Sequence, residues 1–405
     1  MGMGRTTLAV VRTDDRPRAD AVVATSMPLD DDNCYRAIRA RDSRFDGRFF
    51  VAVSSTRIYC RPICMARLPK RENCRFFCSI DDAEAAGYRA CLQCRPRLFS
   101  TGTPDDALKY RIVRRNVPAD VGVFEIPYRP PYDWDAMLAF LSARAVSGVE
   151  EIAGRSYRRT VCISYDGIDH PGWCEVSPVE GKDAVRVMVS SSLSKVIPSV
   201  LGRLRRLMDL AANVTEISGM LGKLAKPNPG LRVPGAFDGF EIGVRAILGQ
   251  QVTVAAARTV AGRFAAAFGT VIESPYPALK TVFPSPQNVA KLTVDHIARL
   301  GILAARSRSI IALARAIAAG EIKLDRAIDV ASELNKLRAL PGIGEWTAQY
   351  VAMRALNWPD AFPNTDYGVM KALGERDPKR VLEISQEWRP WRSYAVMHLW
   401  HSLHQ

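Results

Sequence analysis

The rhythm of hydrophobic and polar residues changes along the chain, and each change predicts a different kind of structure. Near the beginning, Phe49–Ser54 (FFVAVS) is a short apolar run bounded by polar residues and predicts a strand, while Asp81–Ala86 (DDAEAA) predicts a short helix. Residues 98–122 are polar, contain proline and glycine, and predict a connection with one short helix at most. From Val123 the texture shifts. FEIPYRPPYDW is extended, DAMLAFLSARAV carries apolar residues at helical spacing, and TVCISY and AVRVMVS alternate as half-buried strands do. Beyond about residue 196 almost every segment is helical in pattern, including FEIGVRAILGQQVTVAAARTVAGRFAAAF and RSRSIIALARAIAAG. No internal repeat is evident.

The expected fold class is therefore α+β and multidomain. A small cysteine-rich domain spans 27–97, a helix-plus-antiparallel-sheet domain 123–205, and an all-helical domain 206–405, with a disordered tail at 1–26 and a linker at 98–122. The tail lacks the apolar core of a secretory signal, and its acidic residues argue against a transit peptide.

Composition narrows the function. With 405 residues, 48% apolar and 24% charged, the chain is neither fibrous nor wholly disordered. No stretch approaches 18 uncharged apolar residues, which argues against a transmembrane helix. The 56 Lys+Arg against 42 Asp+Glu leave a net charge of +14, which directs attention to an anionic partner such as nucleic acid. Nine cysteines, seven of them between residues 34 and 94, do not read as a disulfide framework. A local metal site in a reducing bacterial cytoplasm fits better.

Cys60 and Cys64, with Cys91 and Cys94, form two close pairs whose thiolates can meet at the corners of a tetrahedron, the geometry of one structural Zn²⁺. Cys34, Cys74 and Cys78 fall outside this pattern. The surrounding stretch RFDGRFFVAVSSTRIYCRPICMARLPKRENCRFFCS, closing with AGYRACLQCRP, resembles the N-terminal domain of the Ada family of DNA methylphosphotriester repair proteins. That resemblance implies that Cys60 is both zinc ligand and methyl acceptor, with Cys64, Cys91 and Cys94 completing the site. Arg61, Arg67, Lys70, Arg71 and Arg75 are candidates for phosphate contacts, although a solvated charged surface explains each of them equally well. About 25 residues separate Arg97 from Val123, too few for the pair of helix-turn-helix units that follow this domain in its regulator relatives. A purely structural or regulatory zinc DNA-binding module stays open as the alternative.

Pro341-Gly342-Ile343-Gly344, after Leu340 and between two helical patterns, reads either as a plain helix–helix turn or as a helix-hairpin-helix. In the second case Gly342 and Gly344 expose backbone N–H groups to a DNA phosphate, and the loop carbonyls can hold a monovalent cation. Asp366, in AFPNTDYGVMKAL, reads by itself as a helix cap. However, PPYDWDAMLAFLSARAVSGVE, PGLRVPGAFDGFEIGVRAILGQQVTVAAA, LPGIGEWTAQYVAMRAL and WRPWRSYAVMHLW together resemble the AlkA type, 3-methyladenine DNA glycosylase II of the helix-hairpin-helix superfamily.

The resemblance implies a base-flipping enzyme, monomeric, acting on double-stranded DNA with alkylation damage. Asp366 would be the essential carboxylate, and Gln251 the wedge that fills the gap left by the flipped nucleotide. Phe140, Trp346, Tyr350 and Trp400 would form an aromatic pocket for a cationic base, with core packing as the competing reading of each ring. Trp346 stands where strand-cutting relatives keep a lysine, so a monofunctional glycosylase is expected. With no cysteine after Cys174, no iron–sulfur cluster is expected in the C-terminal part.

Overall fold

In the computed structural model, residues 29–99, 110–113, 120–325 and 329–403 are described. The expected tail at 1–26 lies outside them. The first domain begins with a helix, Asp31–Ala40, capped by the Asp30 carboxylate, which accepts from Asn33 N. A four-stranded sheet follows, ordered β3-β1-β2-β4, with β1 Phe50–Val53, β2 Ile58–Cys60, β3 Cys74–Phe77 and β4 Arg89–Ala90. Alternation along β1 splits its side chains between two cores. Phe50 and Ala52 meet Tyr59, Ala83 and Tyr88 on one face. Val51, with Phe49 and Cys74, joins the other.

That second core is continuous with the helical domain, so the cysteine module is docked rather than tethered. Ala37, Ile38, Phe45, Phe49 and Val51 share one cluster with Trp358, Trp391 and Tyr394. Phe45 meets the Trp358 ring edge-on at 5.4 Å between centroids, and Arg48 lies 4.8 Å from the same ring while donating to Leu356 O. Asp42 accepts from Trp391 Nε1 at 3.0 Å and pairs with Arg44. Arg44 in turn donates to the Tyr394 hydroxyl and lies 3.5 Å from Asp209. All four polar side chains of this joint are buried. Burial by itself would raise the Asp42 carboxyl, but Arg44 holds it below the ordinary value.

The second domain is a six-stranded antiparallel sheet in the order β5-β6-β10-β9-β8-β7. Its strands are β5 Arg111–Val113, β6 Val121–Pro127, β7 Glu150–Ala153, β8 Ser156–Tyr165, β9 Ile168–Pro178 and β10 Ala184–Ser190. β5 is a departure from expectation. Arg111–Val113 lies in the stretch read as a connection, yet it pairs with Val123–Glu125 as an edge strand. Three residues are too few for periodicity to show. Helices Trp134–Arg144 and Ile197–Leu207 cover one face of the sheet, burying Leu138, Leu141, Leu201 and Leu204 against Val161, Val176 and Val187.

The remaining domain is helical apart from a two-stranded ribbon, Thr270–Val271 with Thr281–Val282. A buried ionic cluster fastens it to the sheet: Arg159 of β8 pairs with Glu241, and Arg245 bonds Glu150 at 2.9 Å and Glu241 at 2.8 Å. Among the described residues no helix is long and apolar enough to cross a membrane.

Arg44 is the cation shared by Asp42 and Asp209, so Arg44→Ala leaves two buried carboxylates short of a partner. Urea unfolding of the variant is expected to show a loss of about 3–5 kcal/mol; a change below about 1 kcal/mol would show that the joint is solvated in solution.

Candidate functional site

The hairpin glycines differ in what they require. Gly342 has φ +74°, and a Cβ there would meet Ser309 Oγ at 2.3 Å, so both the backbone and the space demand glycine. Gly344 has ordinary φ, open space around it, and no side-chain cap; it begins helix Glu345–Arg354 with bare N–H groups, which suits a phosphate. Gln250 ties the Gly-Gln-Gln turn to this hairpin, donating to Gly342 O at 2.9 Å and Thr347 Oγ1 at 3.0 Å. The next residue, Gln251, is exposed in the left-handed region at φ +54°.

Asp366 caps helix Tyr367–Leu373 through Val369 N at 2.9 Å, as its local sequence predicts, and does more. Its Oδ2 accepts from Trp346 Nε1 at 2.9 Å and its Oδ1 from Trp400 Nε1 at 2.8 Å. Indole N–H groups can only donate, so three fixed donors converge on a buried carboxylate and hold its orientation. The approach of Trp400 depends on Gly368: a Cβ there would lie 2.9 Å from Trp400 Cδ1 and 3.1 Å from Asp366 Oδ1.

Asp366, Trp346, Tyr350 and Trp400 line a cavity of about 1180 Å³ that also reaches Gln251, Gly342 and Gly344. Trp346 and Tyr350, four residues apart on one helix, stack at 5.3 Å and 15°. Phe140 lies 6.3 Å from Trp400 with planes 18° apart, at the seam where the sheet-domain and helical cores meet. The four predicted aromatics therefore form one cluster. Burial by itself would raise the Tyr350 phenol, yet Arg354, Arg144 and Arg245 outweigh it and hold the group below its ordinary value. The sequence reading missed Arg144, Gly368, Gln250 and the exposed rim residue Tyr367. Arg144 alone left a trace there, four residues beyond Phe140 on the same predicted helix.

At the other end of the chain, sheet pairing assembles the cysteines. β2 and β4 run parallel with Tyr59 opposite Ala90, so Cys60 and Cys91 emerge side by side, and Cys91 N bonds Tyr59 O. Tight turns, closed by Cys64 N to Arg61 O and Arg95 N to Cys91 O, bring round Cys64 and Cys94. The four Sγ atoms lie within 4.8 Å of one another. Sulfurs on a tetrahedral zinc stand about 3.8 Å apart, inside that limit, so the donor set fits one zinc ion. The hydrogen bond between Cys60 and Cys64 pushes the first thiol up and the second down; a cation among them lets all four deprotonate.

The candidate phosphate arginines are not equivalent. Arg61 makes a bidentate pair with buried Asp46, with Nε 2.9 Å from Oδ1. Arg71 pairs with Asp32 at 2.9 Å, whereas Arg67 is exposed. Lys70 and Arg75 are exposed too.

Three family profiles match the chain: the metal binding domain of Ada at 33–97, the AlkA N-terminal domain at 123–238, and the HhH-GPD superfamily of base excision DNA repair proteins at 244–381. DNA-3-methyladenine glycosylase 2 of Escherichia coli is 35% identical over 69% of this chain and 97% of its own length. The chain belongs to the AlkA family. A second AlkA relative, from Mycobacterium tuberculosis, is a probable bifunctional transcriptional activator/DNA repair enzyme, 32% identical over 92% of this chain and 97% of its own. That alignment spans 491 positions, more than this chain's 405 residues, so the relative contains stretches with no counterpart here. The AlkA fold is also met in a solved 3-methyladenine DNA-glycosylase from Archaeoglobus fulgidus, with TM-score 0.56 and 20% identity, covering 68% of this chain and 96% of that one.

Because the cysteine module shares its core with the helical domain, zinc removal should destabilise more than the module. Calorimetry with and without a strong chelator is expected to show one transition moving to lower temperature; separate transitions for module and glycosylase would contradict the shared core. Cys91→Ala should abolish the single equivalent of bound zinc measured by elemental analysis.

Proposed function

We propose that this protein repairs alkylated double-stranded DNA by hydrolysing the N-glycosidic bond of alkylated purines, as a monomeric cytoplasmic enzyme. The observation that carries this reading is the Asp366 carboxylate, held by two indole N–H groups inside an aromatic cavity beside a DNA-binding hairpin. A flipped purine enters against Tyr350, Trp346 and Trp400, where an N-alkylated, cationic base gains stacking and cation–π energy of roughly 0.5–2 kcal/mol per good contact. As the glycosidic bond breaks, its electron pair leaves with the base, and positive charge develops on the sugar. Asp366 stabilises that charge without reorganising, because its donors already fix it, and helps place the water that adds to the sugar. Trp346 offers no amine, so the reaction ends with an abasic site and an intact strand.

The zinc module supplies the second chemistry. Cys60, Cys64, Cys91 and Cys94 hold the ion, which keeps the sulfurs deprotonated at neutral pH. Cys60 Sγ bonds to the methyl carbon of a methylphosphotriester as the carbon–oxygen bond breaks, and the electron pair departs on the phosphodiester oxygen. The thioether is permanent, so each molecule acts once. A structural role for the module is the second reading, favoured by its docking onto the helical domain and by Arg61, which Asp46 engages instead of leaving it to DNA.

Asp366→Asn replaces one acceptor with an NH₂ that faces an indole N–H. Release of 3-methyladenine from alkylated duplex should fall on the order of a hundredfold or more while DNA affinity holds; full activity would mean that another group carries the chemistry. Incubation with DNA carrying labelled methylphosphotriesters should label Cys60 stoichiometrically, and an unlabelled protein would leave the structural reading.

A further inference from the structure

Three guanidiniums surround Tyr350, and two of them are committed to the protein. Arg245 is taken by Glu150, Glu241 and the Arg144 carbonyl. Arg354 donates to the carbonyls of Pro234 and Gly235 and to the Tyr350 hydroxyl at 2.9 Å. Arg144 is different. It is the last residue of helix Trp134–Arg144, partly buried, and it lines the cavity. Its guanidinium carbon lies 3.8 Å from the centroid of the Phe140 ring and 6.0 Å from that of Trp400. Among the described residues no carboxylate lies within 4.0 Å of it. Its one side-chain bond to the backbone is a long contact with Phe140 O at 3.4 Å, with the Tyr350 hydroxyl beside it. Burial, then Arg354 and Arg245, weaken its hold on the proton. A partly buried cation with other cations for neighbours and donors left unspent is costly to hold there, and it faces the cavity in which a base would lie.

We propose that Arg144 is a specificity-determining residue that donates to the 6-oxo oxygen of an alkylated guanine in the pocket. This rests on the reading of the cavity as a base pocket. A guanidinium has donors and no acceptor. At the six-position, guanine presents an oxygen and adenine an amino group, so the same arginine satisfies one base and faces the other donor to donor. The positive charge of an N-alkylated base repels Arg144 equally in both cases and does not discriminate. The hydrogen bond does.

The test measures single-turnover release of 7-methylguanine and 3-methyladenine from one methylated duplex by wild type, Arg144→Met and Arg144→Lys, with thermal melting of each. In Arg144→Met the ratio of 7-methylguanine to 3-methyladenine release should fall about tenfold, with Arg144→Lys, which keeps the charge and loses the planar fork, between the two. The melting temperature of Arg144→Met should hold or rise. Equal loss on both bases would overturn the proposal and leave Arg144 a helix-end residue. Wild-type protein releasing neither base would overturn the base-pocket reading as well. If Arg144→Met melts early, the Arg144→Lys ratio decides, and an unchanged ratio rejects the proposal.

Discussion

Three N–H groups from three separate elements converge on the carboxylate of Asp366, and the geometry of the cavity follows from that convergence. Val369 N belongs to the carboxylate's own helix, Trp346 to the helix after the hairpin, and Trp400 to the C-terminal helix. Each indole must bring its Nε1 to within 3 Å of an oxygen, so the same bonds that fix the carboxylate also orient the aromatic walls. Gly368 makes the constraint visible, since a single added carbon would collide with the Trp400 ring. The hairpin is tied into the arrangement through Gln250, which bonds both Gly342 O and Thr347 in the helix that carries Trp346.

The C-terminal helix, Arg392–Ser402, has a second commitment at its other end. Tyr394 and the preceding Trp391 accept and donate in the buried joint with Arg44 and Asp42. One loop of the cysteine module, residues 42–49, makes this joint while its Asp46 grips Arg61, the neighbour of Cys60. Zinc centre and glycosylase core are therefore connected through a few well-buried residues. Buried ion pairs of this kind add little net stability relative to apolar packing, but they penalise any other docking geometry, because a shifted interface would strand Asp42 or Asp209.

Periodicity in the sequence was sufficient for the main helices and the longer strands, because strand alternation and helical spacing are local properties, but not for the short strands at Arg111–Val113 and Thr270–Val271. The four zinc cysteines were legible for the same reason: short spacings and a parallel strand pair are enough to bring them together. Asp366 was legible as a cap from its neighbours, which its bond to Val369 N shows; its bonds to both indoles had no local signal. The strand at Arg111–Val113 escaped because its signal lies in the partner strand. The commitments of Arg61 to Asp46 and of Arg44 to Tyr394 escaped because an arginine's sequence context does not reveal which distant carboxylate or hydroxyl it will meet.

The sequence by itself determined what is carried by nearest neighbours: helices, strands, the hairpin glycine that needs positive φ, and the sulfur spacing that suits zinc. Its basic charge pointed to an anionic partner, and its motifs to DNA. Tertiary structure decided which aromatic rings share a wall, which arginines are spent on the protein, and which one is left in the cavity. It also made the cysteine module part of the glycosylase core. The physical reason is that hydrogen bonds and ring contacts between residues hundreds of positions apart depend on packing directions, and no local pattern encodes those directions.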